Sequence, residues 1–258
     1  MKKLLESAFL RIPLTYARLL RIKSNWNLDK YLFLSLVRAG NIVIDGGANI
    51  GNYSLLFSRL VRSRGKVFSF EPTPPTYAEL KKTLEIGRAK NVRTYPLALG
   101  NEQGQATIHL PDGVSGHAAL EPHGAAWGNA SVKSYAVEVR QLDDWAKEIE
   151  LDRLDFVKLD LEGAEPLAIE GASETLERHL PSIHLELSPA FMKDFDRSVQ
   201  GLSEKLVDIG YDVLLSFRDK NDPPALLDDL LQEQADGLDC TLVCLNRKKH
   251  AKELSRLT

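Results

Sequence analysis

Short apolar segments bounded by turn residues alternate in this chain with longer segments that carry apolar residues at helical spacing. Residues 41–45 form such an apolar segment, residues 52–62 follow with helical spacing, and residues 66–71 form the next apolar segment. Strands that alternate with helices predict βαβ units, in which helices cover both faces of a parallel sheet. The alternation therefore predicts a doubly wound, Rossmann-like α/β fold.

The same alternation continues along most of the chain. It predicts further core strands at 92–96, 154–160, 182–187, 211–217 and 240–245, and helices at 75–88, 142–149, 166–176 and 199–209. Five glycines interrupt it between residues 101 and 129, with a short strand predicted inside that segment at 107–110 and another after it at 135–140. We predict that 101–129 is an insertion over the sheet that forms a lid or a wall of the substrate site.

The length of 258 residues and the hydrophobic fraction of 43% fit one domain across residues 1–258. Residues 1–38 are predicted to form a helical segment that packs on the domain, and contact with an anionic membrane surface is the alternative. The tail at 247–258 is basic and is expected to fray. No stretch is apolar for long enough to span a bilayer.

The net charge is −3 and the isoelectric point is near 6.1. The chain has no overall basic field, so we predict no nucleic-acid partner. The two cysteines, Cys240 and Cys244, lie in an apolar segment and are expected to be small buried hydrophobic residues. This cysteine usage fits a reducing compartment and predicts a cytoplasmic protein.

The sequence DGGANIG at 45–51 joins a predicted strand to a predicted helix. Glycines there allow a tight turn at the carboxyl end of a parallel strand, where open α/β sheets bind ligands. A dinucleotide site favours G-x-G-x-x-G, but Ala48 replaces the middle glycine and Asp45 would repel a pyrophosphate. S-adenosylmethionine suits Asp45 better, because it carries an ammonium and a sulfonium and no phosphate. Glu71 ends the next strand, where an acid accepts hydrogen bonds from the ribose of either cofactor.

Three carboxylates, Asp160, Glu162 and Glu165, follow the strand predicted at 154–160. They would crowd the rim of the ligand site, which is costly unless a cation, a proton or hydrogen bonds offset their repulsion. Their candidate roles are to hold the ammonium of the cofactor, to position a substrate hydroxyl or to act as a general base. Hard oxygen ligands also suit Mg²⁺, but no histidine joins the cluster in sequence and no metal site is predicted.

Two further positions are candidates for work on the substrate. His117 lies in a loop bounded by glycines and is the second candidate for the base, after Asp160 and Glu162. Glu186 shares a strand face with His184 and lies near the carboxyl end of its strand, where we predict that it binds substrate.

These residues resemble the FkbM family of methyltransferases. The matching stretches are VIDGGANIG at 43–51, FEPTP at 70–74, LALG at 97–100, LDD at 142–144 and LDLEGAE at 159–165, followed by Gly171, Ala172 and Glu186. Several motifs in this order, over roughly residues 35–190, are more specific than any one of them. One departure is Thr73, where the family more often has asparagine, and we expect it to retune the adenosine pocket.

The resemblance implies a seven-stranded, mostly parallel sheet whose last strand is antiparallel, with S-adenosylmethionine over residues 45–51 and Glu71 on its ribose. It also implies transfer mostly to oxygen, often to a hydroxyl of a saccharide or of a natural-product scaffold. The predicted cofactor-binding residues are Asp45, Gly46, Gly47, Ala48, Asn49, Gly51, Tyr53, Glu71, Pro72, Ala98 and Asp160; the predicted catalytic residues are Asp160, Glu162 and His117; Glu165 and Glu186 are predicted to bind substrate.

We therefore predict O-methylation of a hydroxyl on a saccharide or another small molecule, with S-adenosylmethionine as the methyl donor. Two alternatives stay open. One is a nicotinamide-dependent oxidoreductase, against which Ala48 argues, and the other is a catalytically silent nucleoside-binding module, against which the intact acids argue. The sequence carries no readable signal for the acceptor, for metal dependence or for the oligomeric state.

Overall fold

The computed structural model describes residues 9–21, 27–111, 120, 131–217, 224–227 and 239–257, which form an α/β fold around one large sheet. The strands within these residues are β1 (Ile42–Gly46), β2 (Lys66–Phe70), β3 (Val92–Tyr95), β4 (Leu97–Leu99), β5 (Gly104–Pro111), β6 (Val132–Arg140), β7 (Phe156–Leu159), β8 (Ser182–Leu187), β9 (Val213–Phe217), β10 (Ala225–Leu226) and β11 (Cys240–Leu245). The α-helices within them are α1 (Pro13–Arg21), α2 (Leu28–Leu36), α3 (Asn52–Val61), α4 (Pro74–Ile86), α5 (Leu142–Glu148), α6 (Glu165–Glu170), α7 (Ser173–His179), α8 (Pro189–Met192), α9 (Val199–Ile209) and α10 (Ala251–Leu257). Short 3₁₀ turns lie at Arg62–Arg64 and Lys193–Phe195.

The large sheet has the strand order β3-β2-β1-β7-β8-β11-β9-β10. The first five of these strands pair in parallel, and β11 runs antiparallel to both of its neighbours. A mostly parallel sheet whose last strand is antiparallel is therefore confirmed. Within the described residues this sheet has eight strands, one more than predicted. The additional strand is β10, a two-residue antiparallel strand beside β9, and two residues carry no alternating pattern.

The order in which the chain adds strands reverses between β1 and β7. From β1 the chain builds β2 and β3 on one side, and it later adds β7 and β8 on the other. Gly46 at the end of β1 is paired with Leu159 at the end of β7, so both strands end at the same edge. Open α/β sheets bind ligands at such a switch point, and the predicted glycine turn follows β1 there.

A second sheet has the order β4-β6-β5. Strands β5 and β6 extend those predicted at 107–110 and 135–140, and the three-residue strand β4, which the pattern did not predict, pairs in parallel with β6. Of the insertion at 101–129, residues 112–119 and 121–129, including His117, lie outside the described residues.

Apolar side chains cover both faces of the large sheet. On one face, helices α5 to α9 pack over a first core that includes Ile44 and Trp145. On the other face, α1, α2, α3 and α10 pack over a second core that includes Val43 and Phe33. Val43 and Ile44 are adjacent in β1, and adjacent side chains of a strand point to opposite faces of the sheet, so β1 contributes side chains to both cores.

Two helical predictions differ from the structure. The helix predicted at 166–176 is divided into α6 and α7 at Gly171, where a Cβ would lie 2.0 Å from the carbonyl oxygen of Gly100. The tail that was expected to fray forms α10, because Leu257 is buried in the second core and Tyr31 donates a hydrogen bond to the carbonyl oxygen of Arg256. Among the described residues, no helix has both the length and the apolar character needed to cross a membrane.

Candidate active site

A cavity opens at the carboxyl edge of the large sheet, where β1, β2 and β7 end beside the second sheet. It encloses about 610 Å³, its open mouth included. Its lining residues within the described part of the chain are Gly47, Asn49, Phe70, Glu71, Pro72, Leu97, Ala98, Leu99, Ile108, Leu120, Asp160, Leu161, Glu162 and Ala164. The cavity therefore lies at the switch point, where the topology favours a ligand.

The glycine turn forms part of the cavity wall. Gly47 has a φ of 68°, and a Cβ there would lie 1.9 Å from the carbonyl oxygen of Asp160. Glycine is therefore required for the turn to pass this close to the end of β7. Asn49 is also left-handed, with a φ of 49°, a conformation that asparagine adopts more readily than most side chains.

Glu71 is fixed in the wall by two backbone amides. Its Oε2 accepts a hydrogen bond from the amide of Asn49 at 3.0 Å, and its Oε1 accepts one from the amide of Thr73 at 2.9 Å. Burial raises the pKa of this carboxyl group, and the hydrogen bonds oppose the rise. A carboxylate has further acceptor sites, so these two fixed oxygens are suited to ribose hydroxyls. Thr73 itself is fully buried and does not line the cavity.

Much of the remaining lining is apolar. Phe70 comes from β2, Leu97 and Ala98 come from β4, and Ile108 and Leu120 come from the insertion. A surface of this kind can pack against a flat heterocycle such as adenine. The described part of the insertion thus contributes to the wall of the cavity.

Two carboxylates of the predicted acid cluster line the cavity. The Asp160 side chain is 30% exposed. Glu162 has a φ of 52°, a left-handed conformation that costs a residue with a side chain about 1–2 kcal/mol. Burial raises the pKa of Glu162 to about 8, and the charges of Asp160 and Glu165 add to the rise. Backbone strain and a raised pKa at one cavity residue indicate a functional role.

The two acids predicted to bind substrate lie outside the lining. Glu165 is completely buried, and its carboxylate accepts hydrogen bonds from the amides of Leu161 at 2.6 Å and Gly163 at 3.1 Å. The structure therefore assigns Glu165 to the backbone of the loop after β7 rather than to the cavity wall. Burial raises its pKa to about 7. Glu186 is exposed near the end of β8, and partial burial together with the charge of Asp160 raises its pKa to about 7.

A buried polar cluster lies behind the glycine turn, on the side of the second core. Lys158 of β7 is 1% exposed, and its Nζ lies 3.1 Å from Asp160 Oδ2 and 3.6 Å from Asp45 Oδ1. Asp45 is fully buried and accepts a hydrogen bond from the hydroxyl of Ser54 at 2.5 Å. Burial raises the pKa of Asp45, and the charge of Lys158 opposes the rise. Asp45 thus faces Lys158 and Ser54, although the sequence predicted that it would face the cofactor.

Helix α2 adds a further acid to this cluster. Asp29 Oδ2 accepts a hydrogen bond from the hydroxyl of Tyr53 at 2.8 Å, and Asp29 Oδ1 lies 3.3 Å from Nε2 of His184. These contacts outweigh the effect of burial and lower the pKa of Asp29. Tyr53, which was predicted to bind the cofactor, is therefore held by α2 and does not line the cavity.

The structure brings together about half of the residues predicted for the site. Those in the cavity wall are Gly47, Asn49, Glu71, Pro72, Ala98, Asp160 and Glu162. Gly46, Ala48 and Gly51 shape the turn from behind the lining; the amide of Ala48, for example, donates a hydrogen bond to the carbonyl oxygen of Phe70 at 2.9 Å. His117 lies outside the described residues, and within those residues no three His, Cys, Asp or Glu side chains converge on a point that could hold a metal ion.

Lys158 and Asp29 are site candidates that reasoning from the sequence missed. Lys158 had a detectable signal, because it interrupts the buried segment LDFVKLD directly before the acid cluster. A buried lysine needs partners of opposite charge, and the cluster supplies them. Asp29 had no such signal, since its partners Tyr53 and His184 are distant in sequence.

The fold and the cavity define a class of protein: a doubly wound α/β protein with a ligand-sized cavity at the switch point of its sheet. The profile of the methyltransferase FkbM domain matches residues 45–213, more than half of the 258 residues. The chain belongs to the FkbM family of methyltransferases, so the resemblance seen in its motifs is confirmed.

Two curated proteins and one solved structure illustrate the similarity. The chain is similar to 2-O-methyltransferase NoeI of Sinorhizobium fredii (strain NBRC 101917 / NGR234), with 26% identity over 165 residues, which are 60% of this chain and 67% of that protein. It is similar to Methyltransferase 1 of Beauveria bassiana (strain ARSEF 2860), with 24% identity over 161 residues, 57% of this chain and 64% of that protein. A crystal structure of methyltransferase FkbM from Methylobacillus flagellatus KT has 16% identity and a TM-score of 0.49, over 90% of this chain and 58% of that one.

The chain spans about two thirds of the length of these two curated relatives. The family and the relatives support a methyltransferase. They support neither of the alternatives that the sequence left open, the nicotinamide-dependent oxidoreductase and the silent nucleoside-binding module.

Proposed function

We propose that this protein transfers a methyl group from S-adenosylmethionine to a hydroxyl oxygen of a saccharide or another small molecule. The observation that carries the proposal is that Glu71, Asp160 and Glu162 line one cavity together with the glycine turn. Membership of the family supports methyl transfer, and the name of one relative, a 2-O-methyltransferase, supports oxygen as the acceptor atom. The absence of a nucleic-acid partner and the cytoplasmic location stay predictions of the sequence.

The residues present fit this cofactor. Gly47 lets the turn pass directly against the end of β7 in the cavity wall, where a Cβ would lie 1.9 Å from the carbonyl oxygen of Asp160. Glu71 would accept hydrogen bonds from the ribose hydroxyls, the apolar lining would pack on the adenine, and Asp160 would accept a hydrogen bond from the ammonium of the amino-acid end. The bound cofactor supplies a methyl group on a positively charged sulfur, a charge that nearby carboxylates favour.

Glu162 is the residue that we assign to the proton of the acceptor hydroxyl. The Glu162 carboxylate would accept the proton that the hydroxyl loses when its oxygen takes the methyl group from the cofactor. A base must be ionised and must still bind a proton well, so a carboxyl group with a pKa near 8 suits the task better than an ordinary glutamate. His117 stays a second candidate for the base, predicted from the sequence.

Calorimetry with S-adenosylhomocysteine, with and without Mg²⁺, tests the cofactor. We expect micromolar affinity and no binding of NADH. Glu71→Gln should weaken the Kd at least about tenfold, roughly 1.4 kcal/mol, because the ribose loses a charged acceptor. The matched control is Glu79→Gln, an exposed glutamate of α4, which should bind as the wild type does. Tighter binding of NADH, or no binding of either compound by folded protein, contradicts the proposal.

Transfer of a labelled methyl group to a panel of saccharides and hydroxylated small molecules then tests the acceptor class. Glu162→Gln should slow transfer more than it weakens binding of S-adenosylhomocysteine. If this variant turns over at the normal rate, the assignment of the base is wrong. If only nitrogen atoms or nucleic acids are methylated, the proposed acceptor class is wrong.

A further inference from the structure

We propose that Lys158 is a positioning residue that joins the glycine turn to Asp160 and holds both in the arrangement that binds the cofactor. This inference rests on the proposed function, because it assigns Lys158 to the cofactor side of the same cavity. The residue lies inside β7, one strand position before the end of that strand.

Lys158 contacts residues on both sides of the switch point, the glycine turn after β1 and Asp160 after β7. Its Nζ donates hydrogen bonds to the carbonyl oxygens of Gly47 at 2.9 Å and Gly46 at 3.3 Å, and it lies 3.1 Å from Asp160 Oδ2. Gly47 and Asp160 line the cavity, whereas Lys158 does not. The ammonium therefore acts on the cavity through its two neighbours and does not contact the ligand itself.

Lys158 places a charged group in the interior of the protein, and this burial requires compensating contacts. An ammonium in the protein interior is costly unless several partners surround it, and apolar residues of similar volume often serve the fold as well. Lys158 has two carboxylates and two carbonyl oxygens within reach, and its Nζ lies 5.7 Å from the ring centroid of Tyr53. Burial alone lowers the pKa of Lys158, but the charges of Asp160 and Asp45 outweigh burial and raise it, so the ammonium stays charged.

The charge of Lys158 also acts beyond its direct contacts. It opposes the rise in pKa at Glu71, Glu162 and Glu186, where burial is the largest cause of the rise. Without this charge, the carboxylates would hold protons up to a higher pH. Protonated acids do not attract a cationic ligand, so the charge of Lys158 lowers the pH at which Glu71 and Glu162 of the cavity wall take the form that binds an ammonium.

Lys158→Met tests the inference, because methionine keeps most of the length of the side chain and removes the charge. We expect S-adenosylhomocysteine at pH 7 to bind at least about tenfold more weakly. The loss should be larger at pH 8.5 than at pH 6, because Glu162, whose pKa is about 8, is already protonated at pH 6 in the wild type. The matched control is Lys147→Met, which removes an exposed lysine whose partner is Glu174 and which lies outside the cavity. That control should bind the ligand as the wild type does across the same pH range.

A second pair of variants separates positioning from simple charge pairing. Loss of Lys158 leaves Asp45 buried without its cation, which could unfold the chain by itself. We therefore compare Asp45→Asn with the double variant Asp45→Asn/Lys158→Met. The two should have similar Tm values, and the double variant should still bind S-adenosylhomocysteine at least about tenfold more weakly, again with the larger loss at pH 8.5.

The outcomes separate this inference from the proposed function. If the wild type binds no S-adenosylhomocysteine, the proposed function fails. If the wild type binds it and the two Asp45→Asn variants bind equally well, Lys158 only balances the charge of Asp45 and the positioning role is overturned. A double variant that does not fold also counts against the inference, since Lys158 would then be required by the fold itself.

Discussion

Glu162 combines two features that are unfavourable for stability. Its backbone is left-handed, and its carboxyl group is buried enough for the pKa to rise to about 8. Asn49, the other left-handed residue of the lining with a side chain, carries only the first of these features. Residues that a fold would disfavour persist at sites where the reaction needs them, so Glu162 is the residue at which stability and function should oppose each other.

Glu162→Gly should therefore stabilise the protein and abolish methyl transfer. Glycine relieves the left-handed strain, and after its entropy cost in the unfolded chain we expect a gain of about 0.5–1 kcal/mol in the free energy of unfolding, measured with urea. The matched control is Glu150→Gly, because Glu150 has the same φ of 52° and is exposed away from the cavity. The control should gain a similar amount and keep its affinity for S-adenosylhomocysteine. Absence of a gain in both variants would contradict the argument from strain.

At the scale of elements, the turn between β1 and α3 depends on how closely it passes the end of β7. Gly47→Ala should lower the free energy of unfolding by about 1–3 kcal/mol and eliminate binding of S-adenosylhomocysteine, because the added Cβ must displace the Asp160 backbone. Gly104→Ala is the matched control, since a Cβ there meets nothing within 4 Å. Thermal unfolding and calorimetry on both variants check the expectation. Equal Tm values for Gly47→Ala and Gly104→Ala would show that the turn accommodates the added Cβ without loss of stability.

The sequence predicts the elements that form the edge of the cavity and misses the shortest ones. Strands buried on both faces are continuous apolar segments, so β1, β2, β7 and β8 are recognisable. Strands β4 and β10 have three and two residues, too few for a pattern. The direction of side chains at the ends of the strands is not encoded locally. Asp45 shares a face with Val43, but the sequence does not show on which side of β1 the cavity opens.

Across the whole molecule, several carboxyl groups bind protons more tightly in the folded state than they would in the unfolded chain. Burial raises the pKa of Glu162 to about 8 and those of Glu165 and Glu186 to about 7, from an ordinary value of 4.5. Between a pH of about 4.5 and a pH of about 8, the folded state therefore holds more protons than the unfolded state. The contribution of these acids to stability is therefore largest at low pH and is lost as the pH rises from about 5 to 8.

Glu162→Gln should show this effect as a difference from the wild type. The amide cannot ionise, so the stability of the variant relative to the wild type should increase from pH 5 to pH 8.5, measured by urea unfolding at several pH values. Burial lowers the pKa of His179 and of His250, which favours the folded state as the pH rises, but both proteins keep these histidines and the contribution cancels. Glu79→Gln, at an exposed position, is the matched control. A flat difference for Glu162→Gln would show that the group ionises normally.

The position of β11 has a consequence for how the protein is made on the ribosome. This strand comes last among the described strands, yet it lies between β8 and β9. The half of the sheet that ends at the cavity needs only residues that are synthesised earlier, whereas the edges of β8 and β9 have no partner until residues 240–245 emerge. A nascent chain that pauses after β9 therefore exposes two unpaired strand edges to the other chains that are being translated from the same messenger RNA. The speed of translation over residues 240–245 sets how long these strand edges stay exposed.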